Sequence, residues 1–159
     1  MKEQFFNHVN VKEENIYIPN GLAKDIEKEC RCYEEKIESQ GGIDMQLLGI
    51  GRNGHIGFNE PDIKFEAKTH KVVLDEDTLK ANARFFKSVD DVPTEAISMG
   101  IKTIMKSKKI LLLGSGESKA KPVKALVDGT ITPRFPASIL QLHQDVTLIL
   151  DKSAASLLK

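Results

Sequence analysis

The sequence predicts an α/β fold: a largely parallel sheet with helices on both faces. Three observations carry that prediction. Residues 45–50, 109–113 and 146–150 are short, mostly apolar runs, the second continuous after its opening lysine, the pattern of buried strands. Segments with helical spacing alternate with them, at 25–39 and from Ala120 to about residue 127. The first two runs end in glycine-rich turns, placed where open α/β sheets bind ligands, past the carboxyl ends of their strands.

In chain order, residues 1–8 hold a short helical fragment at most, and 16–18 form a brief β-prone run closed by the turn signal Pro19-Asn20-Gly21. Residues 25–39 place Ile26, Cys30, Tyr33 and Ile37 on one helical face opposite Glu and Lys, a helix to be laid on the sheet and stopped by Gly41-Gly42. The central strand 45–50 follows. Residues 70–74 read as a short strand, 78–86 as helix or loop, 94–99 as a strand ended by Gly100, and 101–105 as helical. The strand 109–113 runs into Gly114-Ser115-Gly116, and a helix carrying Val123 and Leu126 follows. Pro122 suits its first turn, and Asp128-Gly129 closes it. Pro133 and Pro136 mark a loop, Ser138 caps a short turn, 146–150 is the last strand, and 153–158 opens a helix. There is no internal repeat and no low-complexity segment.

Composition narrows the function classes. The 159 residues suffice for one core. Lys plus Arg equals Asp plus Glu, 23 each, so no net field favours nucleic acid or a membrane surface. No apolar run approaches the roughly 20 residues of a membrane span, and no cationic, hydrophobic signal segment opens the chain. Cys30 and Cys32 are spaced too closely for a ready disulfide, and no Cys or His cluster completes a metal site. They read as reduced thiols of a cytoplasmic protein.

The chemistry concentrates in residues 45–61, M-Q-L-L-G-I-G-R-N-G-H-I-G-F-N-E-P. Glycines let such a loop approach a ligand closely. Among them stand an amide, an imidazole and a carboxylate: Asn53, His55 and Glu60. A carboxylate oriented on an imidazole fixes its tautomer and raises its basicity, which suits proton transfer at a sugar or carbonyl. The competing reading is a structural turn with a hydrogen-bonded histidine. A second candidate is L-G-S-G-E-S-K-A, 113–120, where a helix start and Lys119 would favour phosphate. An ordinary tight connection with an exposed lysine fits that pattern equally well, since it lacks the P-loop spacing.

G-I-G-R-N-G-H-I-G-F-N-E-P resembles the signature of glucosamine-6-phosphate deaminases (isomerases), and T-H-K-V-V-L-D, A-N-A-R-F-F, L-G-S-G-E-S-K-A and S-I-L-Q-L-H are similar to that family in the same order, over nearly the whole chain. The related 6-phosphogluconolactonases share the G-H loop without the F-N-E-P continuation. The resemblance implies a Rossmann-like three-layer α/β/α fold with a mostly parallel sheet. It implies conversion of D-glucosamine 6-phosphate and water to D-fructose 6-phosphate and ammonia, with no metal or organic cofactor. His55 would open the pyranose, Asn53 and Glu60 would position and tune it, and Arg84 and Lys119 would hold the phosphate. Many members carry aspartate where Asn53 stands; an amide can only hydrogen-bond there. The small-molecule phosphosugar is the expected partner, with no nucleic acid or membrane, and the oligomeric state is left open.

Two family features are not found in residues 1–159: a G-S-T-P-like phosphate loop and an M-D-E-Y-like stretch with the aspartate that removes the C2 proton. The sequence is therefore expected to be a single partial domain, 1–159, with its first strands missing, an exposed sheet edge and impaired turnover. Some family members are hexamers activated by N-acetylglucosamine 6-phosphate through Ser, Arg and Lys residues after N-E-P. Ile63, His70 and Val72 stand there instead, so no such site is expected. The alternatives are a non-catalytic phosphosugar-binding module and a 6-phosphogluconolactonase-like hydrolase.

Overall fold

The computed structural model describes residues 1–88 and 91–158, with all their side chains except those of Asp77 and Arg84. Three strands form a parallel sheet in the order β1 (Met45–Gly49), β4 (Lys109–Gly114), β5 (Val146–Leu150). Leu48 stands beside Leu112 and Leu112 beside Leu148, so one face of all three strands is in step. A separate antiparallel pair joins β2 (His70–Val73) to β3 (Glu95–Ser98).

The core lies under the face that presents Leu48, Ile110 and Leu112. Three elements cover it: α3 (Ile101–Met105) through Ile101 and Ile104, α4 (Ala120–Asp128) through Val123 and Leu126, and the 3-10 segment Pro136–Leu142 through Ala137 and Leu140. α4 connects the parallel neighbours β4 and β5, the crossover that parallel pairing requires. The opposite face carries Met45, Leu47, Leu113 and Ile149, each more than 40% exposed. Strands apolar on both faces belong to a Rossmann-like three-layer α/β/α architecture with a mostly parallel sheet. No helix among the described residues is long and apolar enough to cross a membrane.

α1 (Ile26–Ser39) begins at Asp25, whose side chain accepts the Lys28 N–H. Its attachment is polar as well as apolar. Glu34 accepts from the Thr69 N–H (2.7 Å), the Thr69 hydroxyl (2.6 Å) and the Thr103 hydroxyl (2.8 Å), tying α1 to the approach to β2 and to α3. Burial pushes the Glu34 carboxyl up, but these bonds outweigh it, and its pKa is net lowered. Replacing Glu34 with alanine leaves the buried Thr69 and Thr103 hydroxyls without their acceptor. Urea denaturation at pH 7 should show a loss of about 1–3 kcal/mol, and an unchanged midpoint would refute the tie.

Two expected elements are absent. Residues 16–18 form no strand; Tyr17 lies under Lys36 of α1 instead, with Nζ 4.4 Å from the ring centre. Residues 152–157 are turns rather than a helix, although Asp151 accepts the Ala154 N–H as a cap would. The ambiguous stretch 78–86 resolves into α2 (Glu76–Asn82) followed by the 3-10 turn Ala83–Phe85.

Candidate functional site

β1 delivers the glycine-rich loop at its carboxyl end, and the core holds that loop in place. Ile50 and Ile56 are buried on either side of it, and the Ala137 N–H donates to the Gly54 carbonyl at 2.8 Å. Gly51 and His55 close the turn, the Gly51 N–H donating to the His55 carbonyl (2.9 Å). A Cβ on Gly51 would stand 2.6 Å from the imidazole, so glycine here lets the ring fold back over the loop.

The three residues singled out in the loop meet. His55 Nδ1 is 3.1 Å from Glu60 Oε2, and both side chains are largely buried, 20% and 11% exposed. Asn53 Nδ2 donates to the same Glu60 oxygen at 2.8 Å, and Asn53 Oδ1 accepts the His55 N–H at 3.2 Å. An ionised carboxylate only accepts, so Nδ1 is the donor, and in the neutral ring Nε2 then carries the lone pair. Burial raises the Glu60 carboxyl, but hydrogen bonds from His55, Thr78 and Asn53 outweigh it and bring its pKa down to about 2.

That shift has a pH signature. A folded-state pKa below the unfolded one stabilises the fold fully above the ordinary glutamate range and loses that stabilisation as pH falls through the folded value. The stability difference between the native chain and Glu60→Gln should hold steady above pH 4.5 and shrink from there toward about 2. Urea midpoints measured across that range check it; a difference independent of pH would show that Glu60 carries no such shift.

Sequence reasoning missed two residues around this centre. Asp75 accepts from Asn53 Nδ2 at 2.6 Å, and the Thr78 hydroxyl donates to Glu60 Oε1 at 2.6 Å. Asp75-x-x-Thr78 signals a helix start in the sequence, and Asp75 does cap α2, accepting the Thr78 N–H at 2.7 Å. Nothing in the sequence showed that the cap also meets a loop 22 residues earlier.

His55 opens on a cleft of about 310 Å³ whose lining includes Gly51, Arg52, Thr78, Asn82 and Lys119. Lys119 arrives from the turn after β4 and donates to the Ile50 carbonyl at 2.7 Å. Burial, then the neighbouring Arg52 charge, lower its pKa. The amide of Gly116, offered by sequence as part of an anion site, donates to Asp151 Oδ2 at 2.8 Å, and the Ser115 hydroxyl donates to the same oxygen at 2.6 Å. The turn therefore already holds a carboxylate, and Lys119 is what it presents to the cleft. Arg84 lies in the turn directly after Asn82, and its side chain is outside the described residues.

A histidine backed by a carboxylate at the carboxyl end of a parallel strand, beside cationic side chains, defines an α/β protein whose cleft combines a hydrogen-bonded imidazole–carboxylate pair with positive charge. The family model for glucosamine-6-phosphate isomerases/6-phosphogluconolactonase matches residues 1–149, and the chain belongs to that family. It is 63% identical over 158 residues to a glucosamine-6-phosphate deaminase of Clostridium acetobutylicum, covering 99% of this chain and 66% of that one. Over 156 residues it is 64% identical to the deaminase of Clostridioides difficile, covering 98% and 63%. A solved monomeric glucosamine-6-phosphate deaminase matches with a TM-score of 0.95 and 56% identity, over 99% of this chain and 65% of that one. The chain thus spans just under two thirds of the length of these relatives.

Proposed function

We propose that the chain acts on D-glucosamine 6-phosphate in its conversion with water to D-fructose 6-phosphate and ammonia, as a cytoplasmic enzyme. The observation that carries this reading is the Glu60-held His55 beside Lys119 in one cleft. The names of its relatives support it. Opening the pyranose moves a proton from the anomeric hydroxyl to the ring oxygen, and His55 Nε2 is the group to shuttle it. Glu60 stabilises the imidazolium formed in between, and Asn53 fixes Glu60. Lys119 and Arg84 anchor the phosphate, and anchoring away from the reacting carbons orients them. Each of these proton transfers needs only protein groups.

The later step, removal of the C2 proton, needs a further base. Glu60 and Asp75 are both committed, Glu60 to His55, Asn53 and Thr78, and Asp75 to Asn53 and Thr78. The chain is therefore expected to open the ring faster than it completes deamination, with ammonia release impaired.

The test is to incubate the chain with glucosamine 6-phosphate, following anomer exchange by NMR and ammonia by a coupled assay, with the C. acetobutylicum deaminase as positive control. Accelerated anomer exchange with slow ammonia release supports the reading. Saturable binding without either marks a phosphosugar-binding module, and hydrolysis of 6-phosphogluconolactone marks a lactonase.

A further inference from the structure

The candidate site is closed by a four-membered polar ring that spans two elements. Asp75 Oδ2 accepts from Asn53 Nδ2, Asn53 Nδ2 also donates to Glu60 Oε2, Glu60 Oε1 accepts from the Thr78 hydroxyl, and the Thr78 N–H returns to Asp75 Oδ1. The Asn53 amide is the joint. Its nitrogen has two protons, and both go to carboxylates, at 2.8 and 2.6 Å. Flipped, it would present its oxygen to both acids and lose its bond from the His55 N–H. Without Asp75 the amide would keep its Glu60 bond and the 3.2 Å bond from the His55 N–H; Asp75 adds a third and takes the second amide proton.

We propose that Asp75 is a positioning residue for His55, acting through Asn53 and Glu60, and that it locks the histidine loop to the first turn of α2. One carboxylate does two jobs: one oxygen caps the helix, and the other sets the direction of the Asn53 amide. The amide, with the Thr78 hydroxyl, then holds Glu60 where it accepts the Nδ1 proton. The segment that leads into Arg84 is thereby tied to the tautomer of His55. This rests on the reading of His55 as the proton-transfer group.

The test separates positioning from capping. Asn and Ser are good helix caps, so Asp75→Asn and Asp75→Ser retain one. Ser is too short to reach Asn53. Asn cannot cap Thr78 with its oxygen and also accept from Asn53, because its nitrogen then faces the Asn53 nitrogen. In both variants kcat for catalysed anomer exchange should fall about tenfold with KM within twofold, the loss of a charge-assisted hydrogen bond that positions rather than binds. After Asn53→Ala, adding Asp75→Asn should change kcat by less than about twofold, because the path through the amide is already cut.

A second readout is independent of substrate. The side-chain amide protons of Asn53, followed by 15N–1H NMR, should both be shifted by their carboxylate bonds in the native chain. One of them should move toward the free position in Asp75→Asn and Asp75→Ser. If the native chain accelerates no reaction, the functional reading fails and this spectrum alone decides the role of Asp75. Unchanged Asn53 resonances in both variants, unchanged kcat, or independent effects of Asn53→Ala and Asp75→Asn would overturn the proposal.

Discussion

Replacing His55 with glutamine is expected to slow catalysed opening of the sugar ring by about two to four orders of magnitude, the range for removing a positioned general acid–base group. Glutamine keeps a polar amide of similar reach, so it tests proton transfer rather than the filling of space. Its amide cannot accept and return a proton at neutral pH. The loop should survive the change: it is pinned by Ile56 in the core and by the Gly54 carbonyl, and the bond between the Gly51 N–H and the His55 carbonyl is main-chain. Binding should survive as well, because Lys119 reaches the cleft from the turn after β4 and bonds Ile50 rather than His55. Anomer exchange of glucosamine 6-phosphate, measured by NMR magnetisation transfer, isolates this step from C2 deprotonation and ammonia release. Phosphosugar affinity within about threefold of native, with exchange reduced to background, is the expected pattern. Exchange retained within tenfold of native would remove His55 from the chemistry.

The same residues show where a sequence reveals a site and where it stops. Asn53, His55 and Glu60 lie within eight positions on one glycine-rich loop, so their meeting followed from local chain geometry. The buried strands were legible because β1, β4 and β5 are apolar on both faces, a pattern that needs no partner to be read. The antiparallel pairing of β2 with β3 was not legible. Both runs read as strands, but the long connection holding α2 hid their register. Residues 16–18 have strand-like composition, yet no sheet edge among the described residues takes them, and α1 offers Tyr17 a cation instead. Asp75 fell between the strand 70–74 and the stretch 78–86, and Thr78 only opened that stretch, read as helix or loop. That a cap should turn its second oxygen on a distant amide is a tertiary fact, set by how α2 lies against the loop. Lys119 was legible as a cation after a glycine turn. The occupation of that turn by Asp151, which arrives at the end of β5, was not.

Gly54→Ala is expected to be the most damaging single change to the fold of this loop, for two separable reasons. Gly54 has φ +88°, a left-handed conformation that an alanine adopts with strain. A Cβ built there also overlaps the Phe135 ring, which packs against the core beside the Pro136–Leu142 segment. Relieving the overlap by moving Phe135 disturbs the core, and moving the loop breaks the bond from the Ala137 N–H to the Gly54 carbonyl. Strain and overpacking each cost about 1–3 kcal/mol, so a combined loss of about 2–6 kcal/mol is expected in urea denaturation. The overlap can be isolated. Phe135→Ala removes the ring at the cost of a cavity, and adding Gly54→Ala to that background should then cost only the backbone strain, about 1–3 kcal/mol. Equal costs in the two backgrounds would show that the ring gives way freely and that backbone conformation alone makes glycine necessary. Because His55 is the next residue, ring-opening activity should fall in Gly54→Ala even where the chain is still folded, and recover in part in the double variant. A variant that kept native stability and native exchange rates would mean that the loop tolerates a side chain at its tightest point, and that the placement of His55 does not depend on this turn.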